Sequence, residues 1–310
     1  MIVDLLFIVA GLALLVVGGD FLVRGAVALA LRLGIAPVIV GLTVLAFGTS
    51  APELIVSVAA AIGGQPGIAL GNAVGSNIAN VLLILGATAV IAPALSHDDE
   101  LKVSWVYAVT ASILLIVLCL LGPLVWWHGA ILLAGLTATL YLQIKRAKTR
   151  TGDAPEVQDE HAAPRSIAIW LLIGLVALPI GAQLLVEGAS DIARGFGISD
   201  AVIGLTLVAI GTSLPELAAS VASALRGRAD MALGNVIGSN LFNILAILGI
   251  TAFFGPLDVP AQMLHFDLWF MLAVTLVIGP FLLRHIAVGR VAGAGLLTTY
   301  ALYTLWLLAA

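Results

Sequence analysis

Residues Gly34–Gly86 and Gly197–Gly249 align without a gap and are identical at 29 of 53 positions, at an offset of 163. Self-similarity on this scale constrains the fold before any single residue is weighed. Each copy carries the same two polar islands. They are GTSAPEL (48–54) and GNAVGSNIAN (71–80) in the first, and GTSLPEL (211–217) and GNVIGSNLFN (234–243) in the second. The surrounding sequence is apolar, so the repeat has to be read against the solvent that surrounds it.

Of the 310 residues, 62% are hydrophobic and 10% charged, whereas a soluble domain is typically about 45–50% apolar and about 25% charged. The chain reads as an integral membrane protein. Its apolar runs reach the roughly 20 residues that a helix needs to cross the hydrocarbon core, and they lack the alternation of barrel strands. Breaking the sequence at polar and Pro/Gly clusters leaves ten segments: 2–30, 35–62, 68–92, 102–121, 124–145, 166–193, 199–225, 230–254, 266–283 and 290–309. The first begins without the basic region of a signal peptide and is read as a span.

The offset contains five segments, an odd number, so the two copies enter the membrane in opposite directions, as in inverted-repeat transporters. The expected architecture is an all-α membrane protein of ten transmembrane helices. It is built as two inverted five-helix repeats, 1–145 and 166–310, joined by a polar cytoplasmic loop, 146–165. With that loop in the cytoplasm, eleven of the thirteen Lys and Arg residues fall on its side, and both termini are extracytoplasmic. The single cysteine, Cys119, forms no intrachain disulfide and is read as a packed or lipid-facing thiol.

The polar islands carry the chemistry. Pro52 lacks an N–H and its ring crowds the carbonyl one turn earlier, so a helix should kink or break there. Carbonyls near Gly48 and Thr49 are then freed to face a cavity. Thr49, Ser50 and Glu53 share one helical face by spacing, and Thr212, Ser213, Pro215 and Glu216 repeat the arrangement. A carboxylate at mid-membrane costs about 2.5–3.5 kcal/mol on insertion scales. No Lys or Arg lies in the motif-bearing spans, so a bound cation is the simplest compensating charge. Ser76 with Asn80 and Ser239 with Asn243 stand four residues apart and add oxygens, while Asn72, Asn77, Asn235 and Asn240 add further polar groups. Isolated Ser, Thr or Asn residues in membrane helices more often mediate packing, as do the Gly71/Gly75 and Gly234/Gly238 pairs. The duplication of a costly charge sets the glutamates apart. Oxygen-only donors suit hard cations, and two carboxylates balance one Ca2+ or two monovalent ions.

Other features are weaker. HDDE (97–100) is an acidic loop, read first as solvated. His128, His161, His265 and His285 show no metal spacing. Asp20 and Arg24 stand four apart in the first span, but Glu187 replaces the arginine in the second copy. A phosphate-binding loop is missing, which argues against an ATP-driven pump in this chain. Neither a nucleophile–base pair nor a catalytic-metal set appears, so the chain is read as no enzyme and as needing no cofactor.

Taken together, GTSAPEL with GNAVGSNIAN and GTSLPEL with GNVIGSNLFN resemble the two alpha-repeats of the cation/calcium exchanger superfamily, in its prokaryotic sodium/calcium exchanger branch. The resemblance implies clustered cation sites halfway through the membrane and exchange of three Na+ for one Ca2+. It implies Glu53 and Glu216 as central Ca2+ carboxylates, and backbone carbonyls of Thr49, Thr212, Ala46 and Ala209 in the same sets. Ser50, Ser213, Ser76 and Ser239 are implied as ligands of flanking Na+ sites, with Asn80 and Asn243 completing the centre. Some prokaryotic members carry Asp where Asn243 stands. Here two central acids remain, which balance Ca2+ but leave three Na+ with one excess charge.

The expected function is Na+/Ca2+ exchange by alternating access, with the first and sixth spans as the moving gate implied by the resemblance. The alternatives are an H+/Ca2+ or other divalent cation antiporter and, behind them, a cation channel. The expected setting is the inner or plasma membrane of a prokaryote, as a monomer in lipid, with Ca2+ and Na+ as substrates and no nucleic-acid or obligatory protein partner.

Overall fold

The apolar segments of the sequence fold as helices. The structure, a computed structural model, describes residues 2–95, 98–149, 162–197 and 209–309. In chain order the helices are α1 (Ile2–Leu33), α2 (Pro37–Thr49), α3 (Ala51–Ile62), α4 (Pro66–Ile91), α5 (Asp99–Leu120) and α6 (Trp126–Ala147). There follow α7 (Pro164–Gly195), α8 (Ala209–Thr212), α9 (Leu214–Leu225), α10 (Ala229–Thr251), α11 (Met263–Leu283) and α12 (Arg290–Ala309). Among the described residues seven helices are long and apolar enough to cross a membrane, and the pair α2 and α3, bent by 43°, makes an eighth. Ten were expected. The start of the seventh segment (199–208) and the middle of the 146–165 loop (150–161) lie outside the described residues, as do His97 and His161.

Helices α1 and α7 pack along their length in opposite directions. Their contact is made through glycines spaced seven residues apart, two turns, which keeps them on one face. A Cβ on Gly11 would lie 2.7 Å from the Gly181 carbonyl oxygen, one on Gly18 3.0 Å from Ala177 Cβ, and one on Gly25 2.9 Å from Leu171. From the other side, Gly174 closes on Leu22, Gly181 on Gly11, and Gly188 on the Asp4 carbonyl oxygen. Rising numbers in α1 meet falling numbers in α7, so the pair is antiparallel. Gly11, Gly18 and Gly25 are related to Gly174, Gly181 and Gly188 by the same offset of 163. The repeat therefore extends beyond the block in which sequence identity is dense. In lipid, where apolar surface gives no net drive to helix pairing, such close backbone approach supplies the packing.

The centre of the bundle is built on α4 and α10. Their apolar faces, with α5 and α11, form one continuous core that includes Leu70, Ile78, Ile84, Leu101, Leu115, Leu241 and Leu268, each no more than 3% exposed. Two short antiparallel bridges tie the halves together. Ala94 and Val288 exchange backbone hydrogen bonds at 3.1 and 2.8 Å, and Leu124 and Leu257 at 3.0 and 2.8 Å. Ala94 and Leu257 are one offset apart. Each loop leaving α4 or α10 thus satisfies its backbone on the loop that precedes the other half's last helix, as non-helical backbone near a membrane requires.

The acids of the HDDE stretch have structural partners. Asp98 caps α5 by accepting from the Glu100 N–H at 2.9 Å. Glu100 is buried and accepts from Arg146 Nε at 3.1 Å, which joins α5 to α6. Cys119 is buried, which decides for the packed reading.

The α1–α7 seam makes a prediction about stability. Gly181→Ala puts a methyl group 2.9 Å from the Gly11 carbonyl oxygen, against backbone that has no flexible end to yield. It is expected to cost about 1–3 kcal/mol, read as a lower Tm of the detergent-solubilised protein. Gly295→Ala in α12, where nothing lies within 4 Å, is the control. It is expected to be neutral or stabilising by up to about 1 kcal/mol. Equal shifts for the two variants would refute the seam.

Candidate functional site

Two helix breaks position the site. Between α2 and α3, Ser50 takes φ −84°, ψ 6°; between α8 and α9, Ser213 takes φ −87°, ψ 1°. Each break stands two residues before a proline that donates no hydrogen bond to the preceding turn. By spacing, the sequence placed Thr49, Ser50 and Glu53 on one helical face beside an expected kink or break at Pro52. In the structure the 43° bend falls within that set, and the break itself turns them inward. Thr49, Ser50 and Glu53 are 1%, 3% and 1% exposed, and Ser213 and Glu216 each 2%.

The two halves meet at these breaks. The Ser50 hydroxyl donates to Glu216 Oε1 at 2.9 Å, so the first copy's serine holds the second copy's carboxylate. Thr49 Oγ1 shares its proton between the Ala46 carbonyl, 3.3 Å, and Asn235 Oδ1, 3.4 Å. The Ala46 carbonyl also accepts the Ser50 N–H at 3.0 Å, so both its lone pairs are engaged in this conformation. Thr212 is only half-buried, unlike Thr49. Ala209 begins α8, and its side chain lies outside the described residues.

Helices α4 and α10 face the breaks with matching polar sets. In each the regular helix gives way to a π-helical turn that starts at the site asparagine, Asn80–Leu85 and Asn243–Leu248, a distortion common at functional positions. Asn72 Nδ2 donates to the Glu53 carbonyl at 3.1 Å and to Ser57 Oγ at 2.9 Å. Asn235 Nδ2 donates to the Glu216 carbonyl at 3.4 Å and to Ser220 Oγ at 3.0 Å. These brackets hold the backbone of each glutamate against the facing helix. Ser57 and Ser220 were missed in the sequence, although both are fully buried and are identical across the repeat. Their signal was that identity, hidden among packing residues. Asn80 and Asn243 are each 1% exposed, Ser76 6% and Ser239 fully buried.

Six buried oxygens here have no hydrogen-bond partner: Glu53 Oε2, Glu216 Oε2, Ser213 Oγ, Ser239 Oγ, Asn80 Oδ1 and Asn243 Oδ1. Leaving a buried polar group unsatisfied costs about 1–3 kcal/mol, and more where it is charged. Neither carboxylate has an ion pair among the described residues. Nor do those residues contain a group of three or more His, Cys, Asp or Glu side chains that could hold a metal. Two carboxylates with hydroxyl and amide oxygens form a donor set that fits hard cations. Calcium takes about six to eight oxygens in irregular geometry, and softer metals want sulfur or imidazole.

The family model described as sodium/calcium exchanger protein matches residues 3–145 and 166–309. The putative antiporter CaxA of Alkalimonas amylolytica is 40% identical over 201 residues, 63% of each chain. The inner membrane protein YrbG of Escherichia coli (strain K12) is 36% identical over 204 residues, again 63% of each chain. The alignment thus spans under two thirds of these relatives. A solved structure of the sodium-calcium exchanger NCX_Mj, soaked with zero Na+ and Ca2+, matches with a TM-score of 0.87 at 34% identity over 99% of each chain. With its apolar helices and these relatives, the chain is an integral membrane protein.

The uneven bonding of the two serines is testable without reference to transport. In ion-free protein, Ser50→Ala strips Glu216 of a hydroxyl donor and is expected to cost about 1–3 kcal/mol. Ser213→Ala removes an oxygen that has no partner and is expected to leave stability within about 0.5 kcal/mol. Thermal melts in chelator and choline buffer would measure both. A Ser213→Ala loss as large as that of Ser50→Ala would contradict the assignment.

Proposed function

The chain belongs to the sodium/calcium exchanger protein family, and from that premise we propose that it is a secondary antiporter exchanging Na+ for Ca2+ by alternating access. It acts as a transporter and not as an enzyme. The observation that carries the reading is the set of six unpartnered buried oxygens, drawn from both halves and including one from each of Glu53 and Glu216. Ca2+ entering this cluster supplies the positive charge that offsets the two carboxylates, and Na+ ions entering it do the same in turn. One site serving either ion alternately is the elementary requirement of exchange. The ligands in this reading are Glu53 and Glu216, with Ser50, Ser213, Ser76, Ser239, Asn80 and Asn243. Carbonyls of Thr49, Thr212, Ala46 and Ala209 join them as the breaks flex.

The architecture in this reading is ten spans in two inverted five-helix repeats, 1–145 and 166–310. The antiparallel α1–α7 pair and the two offset-related bridges support it. The setting is a prokaryotic cytoplasmic membrane with the 146–165 loop inside and both termini outside. The charge bias of the sequence and the relative named an inner membrane protein support that placement. The α1–α7 pair is the moving element. Helix α1 lies along α9, with Gly19 against Ala218 and Ala222 and Asp20 bonded to Arg226 Nε at 2.8 Å. Helix α7 has no comparable packing on α3, the counterpart of α9. That asymmetry supports a conformation closed toward the cytoplasm and accessible from outside.

Exchange of three Na+ for one Ca2+ moves one net charge per cycle, worth about 2.3 kcal/mol per 100 mV.

Flux into proteoliposomes tests the reading. Radioactive Ca2+ uptake is expected with internal Na+ and not with internal K+ or choline, and is expected to vanish in Glu53→Gln and Glu216→Gln. Uptake indifferent to internal Na+ but driven by a pH gradient would replace Na+ by protons as the coupling ion, and flux without any counter-ion would indicate a channel. Acidification to about pH 5 is also expected to slow uptake, because protonating either carboxylate removes the charge that draws the cation. Undiminished flux at that pH would argue against carboxylate ligation.

A further inference from the structure

Four asparagines cross between α4 and α10 in a closed, two-fold pattern. Asn77 Nδ2 donates to the Asn240 carbonyl at 3.3 Å, and Asn240 Nδ2 donates to the Asn77 carbonyl at 3.3 Å. Asn243 Nδ2 donates to Asn77 Oδ1 at 2.9 Å, and Asn80 Nδ2 donates to Asn240 Oδ1 at 2.9 Å. Asn77 Nδ2 also approaches Met271 Sδ at 3.6 Å. All four residues are no more than 2% exposed. The outer members, Asn80 and Asn243, retain amide oxygens with no partner.

The two ends of an asparagine amide have nearly the same shape, and only the hydrogen-bond network decides which end points where. Here the decision starts from groups that allow no choice. A backbone carbonyl only accepts, so the amide nitrogens of Asn77 and Asn240 must be the ends that face each other's backbone. Their amide oxygens then face outward, and an oxygen accepts only from a donor. Asn243 must therefore present its nitrogen to Asn77, and Asn80 its nitrogen to Asn240. What remains for the ion cluster is oxygen from both. Had either outer amide turned over, an N–H2 dipole would face the cation and oxygen would oppose oxygen across the helix pair.

From this network we infer that Asn77 and Asn240 are positioning residues for cation binding, fixing Asn243 and Asn80 with their amide oxygens toward the ion. The inference rests on the ion-site reading above. It adds that two residues that need touch no ion determine the donor character of two that do. It also explains why the repeat keeps N at two positions three apart, 77 and 80 or 240 and 243, where packing alone would ask for no amide.

The test uses equilibrium binding of Ca2+ itself to the purified full chain, which does not depend on coupling to Na+. Asn77→Leu keeps the side chain's shape and removes the acceptor that holds Asn243. Loss of an orienting partner behind a metal ligand typically costs about 10–100-fold in affinity, and a weakening of that size is expected. In an Asn243→Asp background the same Asn77→Leu change is expected to alter Ca2+ affinity by less than about threefold, because a carboxylate presents oxygen whichever way it turns. A plain packing defect would lower affinity by the same factor in both backgrounds, and that result, or an unchanged Asn77→Leu single variant, would overturn the inference. The mirror pair, Asn240→Leu with and without Asn80→Asp, carries the same expectations if Asn77→Leu does not fold. Wild-type protein that binds Ca2+ without Na+-driven uptake would sink the exchange reading and leave the orientation result standing. Wild type that binds no Ca2+ would overturn both.

Discussion

Two carboxylates buried in a membrane bundle without a cationic partner among the described residues are the constraint on which the rest of this structure depends. Neither Glu53 nor Glu216 can stay ionised in hydrocarbon without compensation, and the fold meets that demand by geometry. Each helix is broken just before the glutamate, so side chain and backbone oxygens converge where a regular helix would have spread them around its axis. The facing helices brace each glutamate's backbone through Asn72 and Asn235. They then contribute amide and hydroxyl oxygens of their own. The outcome is a set of buried acceptors, two of them carboxylates, with a chemistry suited to a hard cation.

The duplication brings these residues together where the two halves bond to each other. The halves meet in two-fold fashion: Asn77 meets its own equivalent, Asn240, while Gly11 meets Gly181, the equivalent of Gly18. A contact between equivalents, such as Asn77 with Asn240, lies on the pseudo-two-fold axis that relates the halves. Departures from the symmetry are as informative. Ser50 holds Glu216, yet Ser213 has no matching bond to Glu53. Asp20 reaches Arg226, while the positions one offset away, Gln183 and Gly63, cannot form an ion pair. The halves thus share one frame and differ in the bonds made across it.

Much of this was legible in the sequence because charge in a membrane is costly enough to stand out. The apolar helices, the repeated block, the proline breaks and the polar residues that the structure buries beside them follow from hydropathy, spacing and identity between Gly34–Gly86 and Gly197–Gly249. The cross-repeat pairing was not legible. Nothing local says that Ser50 bonds Glu216, 166 residues away, or that Asn77 and Asn240 orient their neighbours, because these depend on how α4 and α10 cross. The expected disruption at Pro52 is present, but the helical face drawn through Thr49, Ser50 and Glu53 was too simple, because the 43° bend falls within that set. The glycine seam of α1 and α7 was readable in principle from its seven-residue spacing, but the sparser identity of those helices concealed it. HDDE looked like solvated acid, yet it supplies a helix cap and an ion pair in which Glu100 is buried and Arg146 half-buried.

The claim at the centre of this picture is that one cluster of oxygens built around Glu53 and Glu216 holds either Ca2+ or Na+. Calorimetric titration of Ca2+ into purified protein addresses it directly, first in choline and then at rising Na+. The expected result is saturable Ca2+ binding that weakens steeply and competitively as Na+ increases, and that is lost in the Glu53→Gln, Glu216→Gln double variant. Binding that is indifferent to Na+, or that survives removal of both carboxylates, would contradict it.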